Sequence, residues 1–335
     1  MSPVHVLDNY YLAITLLVTV GYQLSGFVIA WTFQFDKITD FTGGSNFFIL
    51  ALLTLLLENT FYARNIVASV LVMLWASRLS GFLLFRVLKM GSDTRFDDIR
   101  SHFLKFLGFW VGQIVWVWTV SLPLIILNSP AVSDPALGGS NPAFGTSRDI
   151  AGIVLWALGW VIETVADAQK FYGKNKGWPK DRAFTLGLWR WSRHPPYFGE
   201  MMCWWGIWIL CLSPTTNGSL PASARAAQYG SVVSPAFTFI LLMFASGVPT
   251  AEKPQARRFY LMSYGPRASS PHAWEHYKNY LKKTSILVPF PPTMYRILPR
   301  LMKQALFLDL PMFEFKEGAD GLAAVEEERS KMAQV

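Results

Sequence analysis

Residues 106 to 133 read FLGFWVGQIVWVWTVSLPLIILNSPAVS, without one charged side chain. A spanning α-helix needs about 20 consecutive apolar residues, and a stretch this long satisfies that with room to spare. Outward from it, residues 10 to 35, 41 to 57, 201 to 224 and 226 to 251 are also free of charge. A closed transmembrane barrel calls instead for alternating segments of about ten residues. Composition agrees: only 16% of the 335 residues are charged, against about 25% in soluble domains. These runs predict an all-α, polytopic membrane helical bundle, and they exclude a single soluble domain.

Seven spans can be drawn, at 10–33, 43–59, 65–88, 104–127, 149–171, 199–213 and 231–249, the second and sixth being short. The first follows a stretch without Lys or Arg and is too long for a cleaved signal, so it serves as its own. Orientation follows the basic residues, which collect in cytoplasmic loops. Lys89, Arg95, Arg100 and Lys105 follow the third span; Lys170, Lys174, Lys176, Lys180, Arg182, Arg190 and Arg193 follow the fifth. Lys253, Arg257, Arg258, Arg267, Lys278, Lys282 and Lys283 follow the seventh, whereas the segments between spans four and five and between six and seven contain only Arg148 and Arg225. Odd-numbered spans are therefore expected to end in the cytosol, with the C-terminus cytosolic. The formal charge of +8 is gathered on that face, where it suits anionic headgroups or a polyanionic cofactor. Nucleic acid is not an expected partner, because the charges interrupt hydrophobic spans and form no nucleic-acid module.

Three places carry charge where it is expensive. Arg78, in Trp75-Ala76-Ser77-Arg78-Leu79-Ser80-Gly81-Phe82, sits near the middle of the third span, where a guanidinium costs about 2.5–3.5 kcal/mol. It is expected to face protein, water or ligand, with Arg86 and Lys89 extending a stripe toward the cytosol. Glu163, Asp167, Lys170 and Lys174 step by four, three and four along the fifth span, so they share one helix face. Such a row serves either as stacked ion pairs or as an acid beside bases for phosphate. The densest stretch is Gly187-Leu188-Trp189-Arg190-Trp191-Ser192-Arg193-His194-Pro195-Pro196-Tyr197-Phe198-Gly199-Glu200. Its two prolines forbid a continued helix, so the chain turns there and gathers Arg193, His194, Tyr197 and Glu200. Residues 214–230 and 263–273 read as loops, and the chain from about 301 reads as amphipathic and then acidic. Cys203 and Cys211 share one apolar run and read as packing thiols.

Leu188-Trp189 followed by Ser192-Arg193-His194-Pro195-x-Tyr197-Phe198-Gly199-Glu200 resembles the signature of the uncharacterised branch of the steroid oxidoreductase superfamily, which includes steroid 5α-reductases and sterol C14-reductases. Trp75 to Arg86, Arg95-Phe96 through Phe109-Trp110-x-x-Gln113, and Glu163-x-x-x-Asp167-x-Gln169-Lys170 are similar to the same branch. So is Tyr277-x-x-Tyr280-x-x-Lys283-Thr284-Ser285 with Pro289-x-Pro291-Pro292. The resemblance covers 45–295, leaving 1–44 as an N-terminal span and 296–335 as a tail. It implies a membrane reductase, by analogy in the endoplasmic reticulum, that takes hydride from NADPH and saturates a carbon–carbon double bond of a lipid substrate.

By that resemblance Lys170 and Lys174 hold phosphates, with Asp167 and Gln169 beside them. Arg193, His194 and Tyr197 line the cofactor pocket, and Tyr277, Tyr280, Lys282 and Lys283 close it. The expected chemistry is conjugate reduction, with Tyr197 or Glu200 as the acid and Arg78 orienting the substrate's polar group or the cofactor. One position departs from the pattern: Pro196 stands where the branch carries Asn, which removes an amide. The Arg-His-Pro-x-Tyr piece is shared with isoprenylcysteine carboxyl methyltransferases, so an S-adenosylmethionine-dependent methyltransferase is the first alternative. A non-enzymatic lipid-binding scaffold is the second.

Overall fold

The computed structural model describes residues 2–34, 38–90 and 101–333, with the backbone alone for 86–90. The expected cationic extension at Arg86 and Lys89, and Arg95-Phe96, therefore lie outside the described side chains. The chain is built of helices, and among the described residues there is no strand, only isolated bridges.

In order these are α1 (Leu12–Thr32), α2 (Thr39–Glu58), α3 (Ala63–Met90), α4 (Phe103–Leu127), α5 (Pro130–Ser133), α6 (Ser147–Asn175), α7 (Pro195–Cys211) and α8 (Ser213–Asn217). They continue as α9 (Ala222–Gly230), α10 (Val233–Ile240), α11 (Val248–Tyr264), α12 (Ala273–Lys283), α13 (Pro292–Ile297), α14 (Arg300–Phe307) and α15 (Leu322–Ala333). Among the described residues, six helical stretches are long and apolar enough to cross a membrane: α1, α2, Ala63–Phe85, Phe103–Ser133, α6 and Ala222–Tyr264. The protein is an all-α, multi-pass membrane bundle. The sixth expected span is α7, whose 17 residues reach about 26 Å at 1.5 Å each, short of the roughly 30 Å hydrocarbon core. The seventh lies inside Ala222–Tyr264.

The expected loop at 214–230 is a correction: it holds α8 and α9. Ala222, Ala224, Ala226 and Ala227 are strong helix formers, and Pro221 stands just ahead of them, so composition alone misled there. The prolines at 195 and 196 behave as expected. They occupy the first turn of α7, where a missing N–H costs nothing.

Two compact units divide the chain: Met1–Ala157 with Met202–Thr238, and Leu158–Met201 with Phe239–Val335. In the first, α2 packs along α3 and α4, and α1 along α2 and α4. Its centre is aromatic: Trp75 meets Trp204 edge-on at 4.9 Å and Phe47 meets Trp75 at 5.2 Å. Buried polar side chains tie helices together, as when Asn128 Nδ2 donates to Thr54 Oγ1 and Ser69 Oγ at 3.0 and 3.2 Å. Such bonds hold best where lipid offers no competing partner. Cys203 and Cys211 are buried and unbridged, as packing thiols should be. In the second unit, α6 and α7 approach backbone to backbone: a Cβ at Gly199 would lie 2.5 Å from Gly159 O.

Candidate functional site: a basic cavity over a buried charge chain

The site is built in the second unit, around the turn that precedes α7. Gly187 adopts φ +56°, a left-handed conformation, and a Cβ there would collide with the Gln169 side chain. That close approach lets Gln169 Oε1 accept the Leu188 N–H at 2.9 Å. Gln169 is thus occupied in fixing the turn. Trp189 Nε1 donates to Ala166 O at 2.9 Å, and Lys170 Nζ lies 3.9 Å over the indole. One helix face and one turn are locked together.

The segment that follows pairs with the C-terminal signature. Arg193 N–H donates to Ser285 O at 2.8 Å and Phe290 N–H to Trp191 O at 3.1 Å. Ser192 Oγ donates to Leu287 O at 2.6 Å, and Tyr280 OH to Trp189 O at 3.1 Å. Two stretches singled out separately in the sequence are therefore one structure, bridged in parallel at Ser192 and Ser285.

Beneath the turn runs a chain of charged and polar groups. His194 Nε2 lies 2.7 Å from Glu252 Oε1; Glu252 Oε2 accepts from Arg193 at 2.5 Å. Arg193 donates in turn to Asp309 Oδ1 at 2.5 Å, and Tyr295 OH donates to Asp309 Oδ2 at 2.6 Å. Burial pushes the His194 imidazole below its usual range, although Glu252 opposes the shift. It is read as neutral, donating from Nε2. Burial also acts to lower the Arg193 guanidinium, but the carboxylates of Glu252 and Asp309 more than offset it, so Arg193 stays charged. Burial raises the hydroxyls of Tyr280 and Tyr295, which remain protonated donors. Two carboxylates face one guanidinium, and the buried Arg193 Nε has no hydrogen-bond partner among the described residues.

Above this chain opens a cavity of about 500 Å³, with Lys170, Lys174, Lys180, Arg182, Arg193 and Arg258 in its wall against the single carboxylate of Glu252. Trp178, Phe184, Trp189, Phe259 and Tyr280 add aromatic surface. Six bases around one concavity suit a ligand with several negative charges.

Sequence resemblance gathered many of these residues, though not all into the wall. Lys170, Lys174, Arg193 and Tyr280 line the cavity. His194 lies in the chain below, its ring stacked on Tyr197 at 5.2 Å. Tyr277 is buried against Phe259 at 4.6 Å, and Lys282 and Lys283 are exposed at the end of α12. Asp167 and Glu200 are half-buried on α6 and α7. Arg78 is half-buried on α3, in the first unit.

The family model described as "Protein of unknown function (DUF1295)" matches residues 26–265. The chain belongs to that family. No curated protein and no solved structure matches it. The DUF1295 match includes Lys170, Arg193, His194, Glu252 and Arg258 and stops before Tyr280, Tyr295 and Asp309.

Glu252, Tyr295 and Asp309 carry no signal in the sequence. Glu252 stands beside Lys253 in Thr250-Ala251-Glu252-Lys253-Pro254 and looks like half of a surface pair. Lys180, Arg182 and Arg258 were legible only as topological charge.

Proposed function

We propose that this protein is an integral membrane reductase that uses NADPH to saturate a carbon–carbon double bond of a lipid, working from the cytosolic face of the endoplasmic reticulum. The observation that carries this reading is the basic, aromatic-walled cavity. NADPH presents a pyrophosphate and a further phosphate beside two flat rings, and the donor set of the wall fits both kinds of group. Lys170, Lys174, Lys180, Arg182 and Arg258 would hold the phosphates, and Trp178, Phe184 and Phe259 offer faces for stacking. Likeness of the Leu188–Glu200 turn to the uncharacterised branch of the steroid oxidoreductase superfamily supports the same choice.

When bound, NADPH supplies the hydride. The chain's own contribution is positioning and acid catalysis. Arg193, clamped by Glu252 and Asp309, keeps the cavity floor in one geometry. Tyr197, parallel to His194, or Glu200 one turn along α7, would donate a hydrogen bond to the substrate carbonyl and then a proton to the α carbon.

Binding of NADPH to the detergent-purified protein, with NADH and S-adenosylmethionine as competitors, tests the reading. NADPH should bind best, and Lys174→Ala should weaken it about tenfold or more, as loss of a charge-assisted bond does, while thermal stability stays within about 0.5 kcal/mol. S-adenosylmethionine carries no phosphate and leaves the six bases without a counterpart. If it binds and NADPH does not, the methyltransferase reading replaces this one.

A further inference from the structure

Helices α13 and α14 contain 6 and 8 residues and are too short to span anything, yet they turn apolar side chains outward. Ile297 is 80% exposed, Leu301 78% and Leu306 60%, with Met294 and Met302 beside them. Comparable exposure is found on the spanning helix α1, at Leu17 (61%) and Val28 (58%), where acyl chains provide the cover. Arg296 is exposed on the same short segment, as is Arg300, which pairs with Glu314 at 2.7 Å. Outward apolar residues with bases alongside, on helices lacking the length to cross, are the pattern of a segment lying within a membrane interface.

The opposite side of this segment faces the site. Tyr295 and Phe307 are buried, their rings meeting at 5.3 Å, and Phe307 packs on Phe290 at 4.8 Å. Tyr295 OH bonds Asp309, and Asp309 N–H donates to Lys303 O at 3.1 Å. Arg193 then receives its second carboxylate from a residue two positions beyond the end of α14.

We infer that α13 and α14 form an interfacial membrane anchor, with Ile297, Leu301 and Leu306 among the upper acyl chains and Arg296 among anionic headgroups, and that this seating holds Asp309 against Arg193. The inference is independent of which cofactor the cavity takes.

The test uses the full chain, in which Cys203 and Cys211 are buried and leave introduced cysteines as the accessible thiols. Ile297→Cys, Leu301→Cys and, as a control on α15, Glu326→Cys are labelled with a polarity-sensitive fluorophore. The labelled proteins are reconstituted into vesicles of phosphatidylcholine and phosphatidylserine, with or without phosphatidylcholine bearing a nitroxide high on its acyl chain. Blue-shifted emission at 297 and 301, quenched about twofold or more by the nitroxide lipid, with neither effect at 326, is the expected result. Emission at 297 and 301 as red and as unquenched as at 326 overturns the anchor. Blue emission that the lipid quencher does not touch also overturns it, because the cover is then protein.

Discussion

Arg64 and Arg193 are both buried arginines paired with acid, one in each unit, and they are served very differently. Arg64 spends all five of its N–H groups. Nε and one terminal nitrogen grip Asp149 at 2.7 and 2.9 Å, and the rest go to Asn141 and to the carbonyls of Pro142 and Ala143 at 2.9 and 3.2 Å. Asp149 also accepts the N–H groups of Gly145 and Thr146 at 2.9 Å, while Thr146 Oγ1 accepts the Asp149 N–H at 3.2 Å. That exchange is a capping box at the start of α6. Arg193 has two carboxylates, a bare Nε and a place in a cavity wall. A saturated pair pins a loop to a helix; an unsaturated one beside open space is where ligand chemistry belongs.

The contrast can be broken by mutation. Removing Arg64 (Arg64→Ala) strands Asp149 and should cost about 3–5 kcal/mol, read as thermal unfolding in detergent. The double change Arg64→Met, Asp149→Leu should recover part of that loss, since no buried charge is then left alone although the N–H groups of Gly145 and Thr146 lose their acceptor; no recovery would mean that the cap and the carbonyl contacts, rather than the ion pair, carry the stability. A smaller effect separates the two sites. Arg64→Lys loses the fork geometry toward five acceptors and Arg193→Lys toward two, so the latter should be the milder, about 1.5–3 kcal/mol. Equal losses would show that the Arg193 chain is architecture of the same kind.

The smallest effect is set by pH. The folded His194 pKa lies below its unfolded value of about 6.5. Between those two values the unfolded chain binds a proton that the native chain does not. Stability therefore falls as pH drops below about 6.5, by up to about 1.4 kcal/mol for each pH unit, until the folded value is reached. His194→Gln, which keeps an N–H for Glu252, should flatten the melting temperature between pH 7 and 5. An unchanged slope would locate the titrating group elsewhere.

Much of this architecture was legible in the sequence, because charge-free runs of spanning length have few alternative fates in an aqueous cell. The turn before α7 was legible too, since Pro195-Pro196 can only begin a helix. What stayed hidden was pairing over distance. Nothing in the sequence ties Arg193 to Glu252, 59 positions on, or to Asp309, 116 on. Arg64 likewise finds Asp149 across 85 positions, though the Thr146-Ser147-Arg148-Asp149 box is readable in place. These partner charges lie on different elements and share no period, so their pairing emerges only once helices have packed.

The pairing of Ser192 with Ser285 and of Arg193 with Asp309 has a consequence for biosynthesis. A ribosome adds about 5–20 residues per second, so Arg193 waits roughly 6–23 s for its second acid, while residues 202–238 of the other unit are made in between. During the first part of that interval an arginine destined for burial has neither of its carboxylates. Nascent chains are therefore exposed to quality control at the site itself throughout that interval, and ribosomal pausing between codons 193 and 309 should deplete the protein more than pausing of equal length before codon 157.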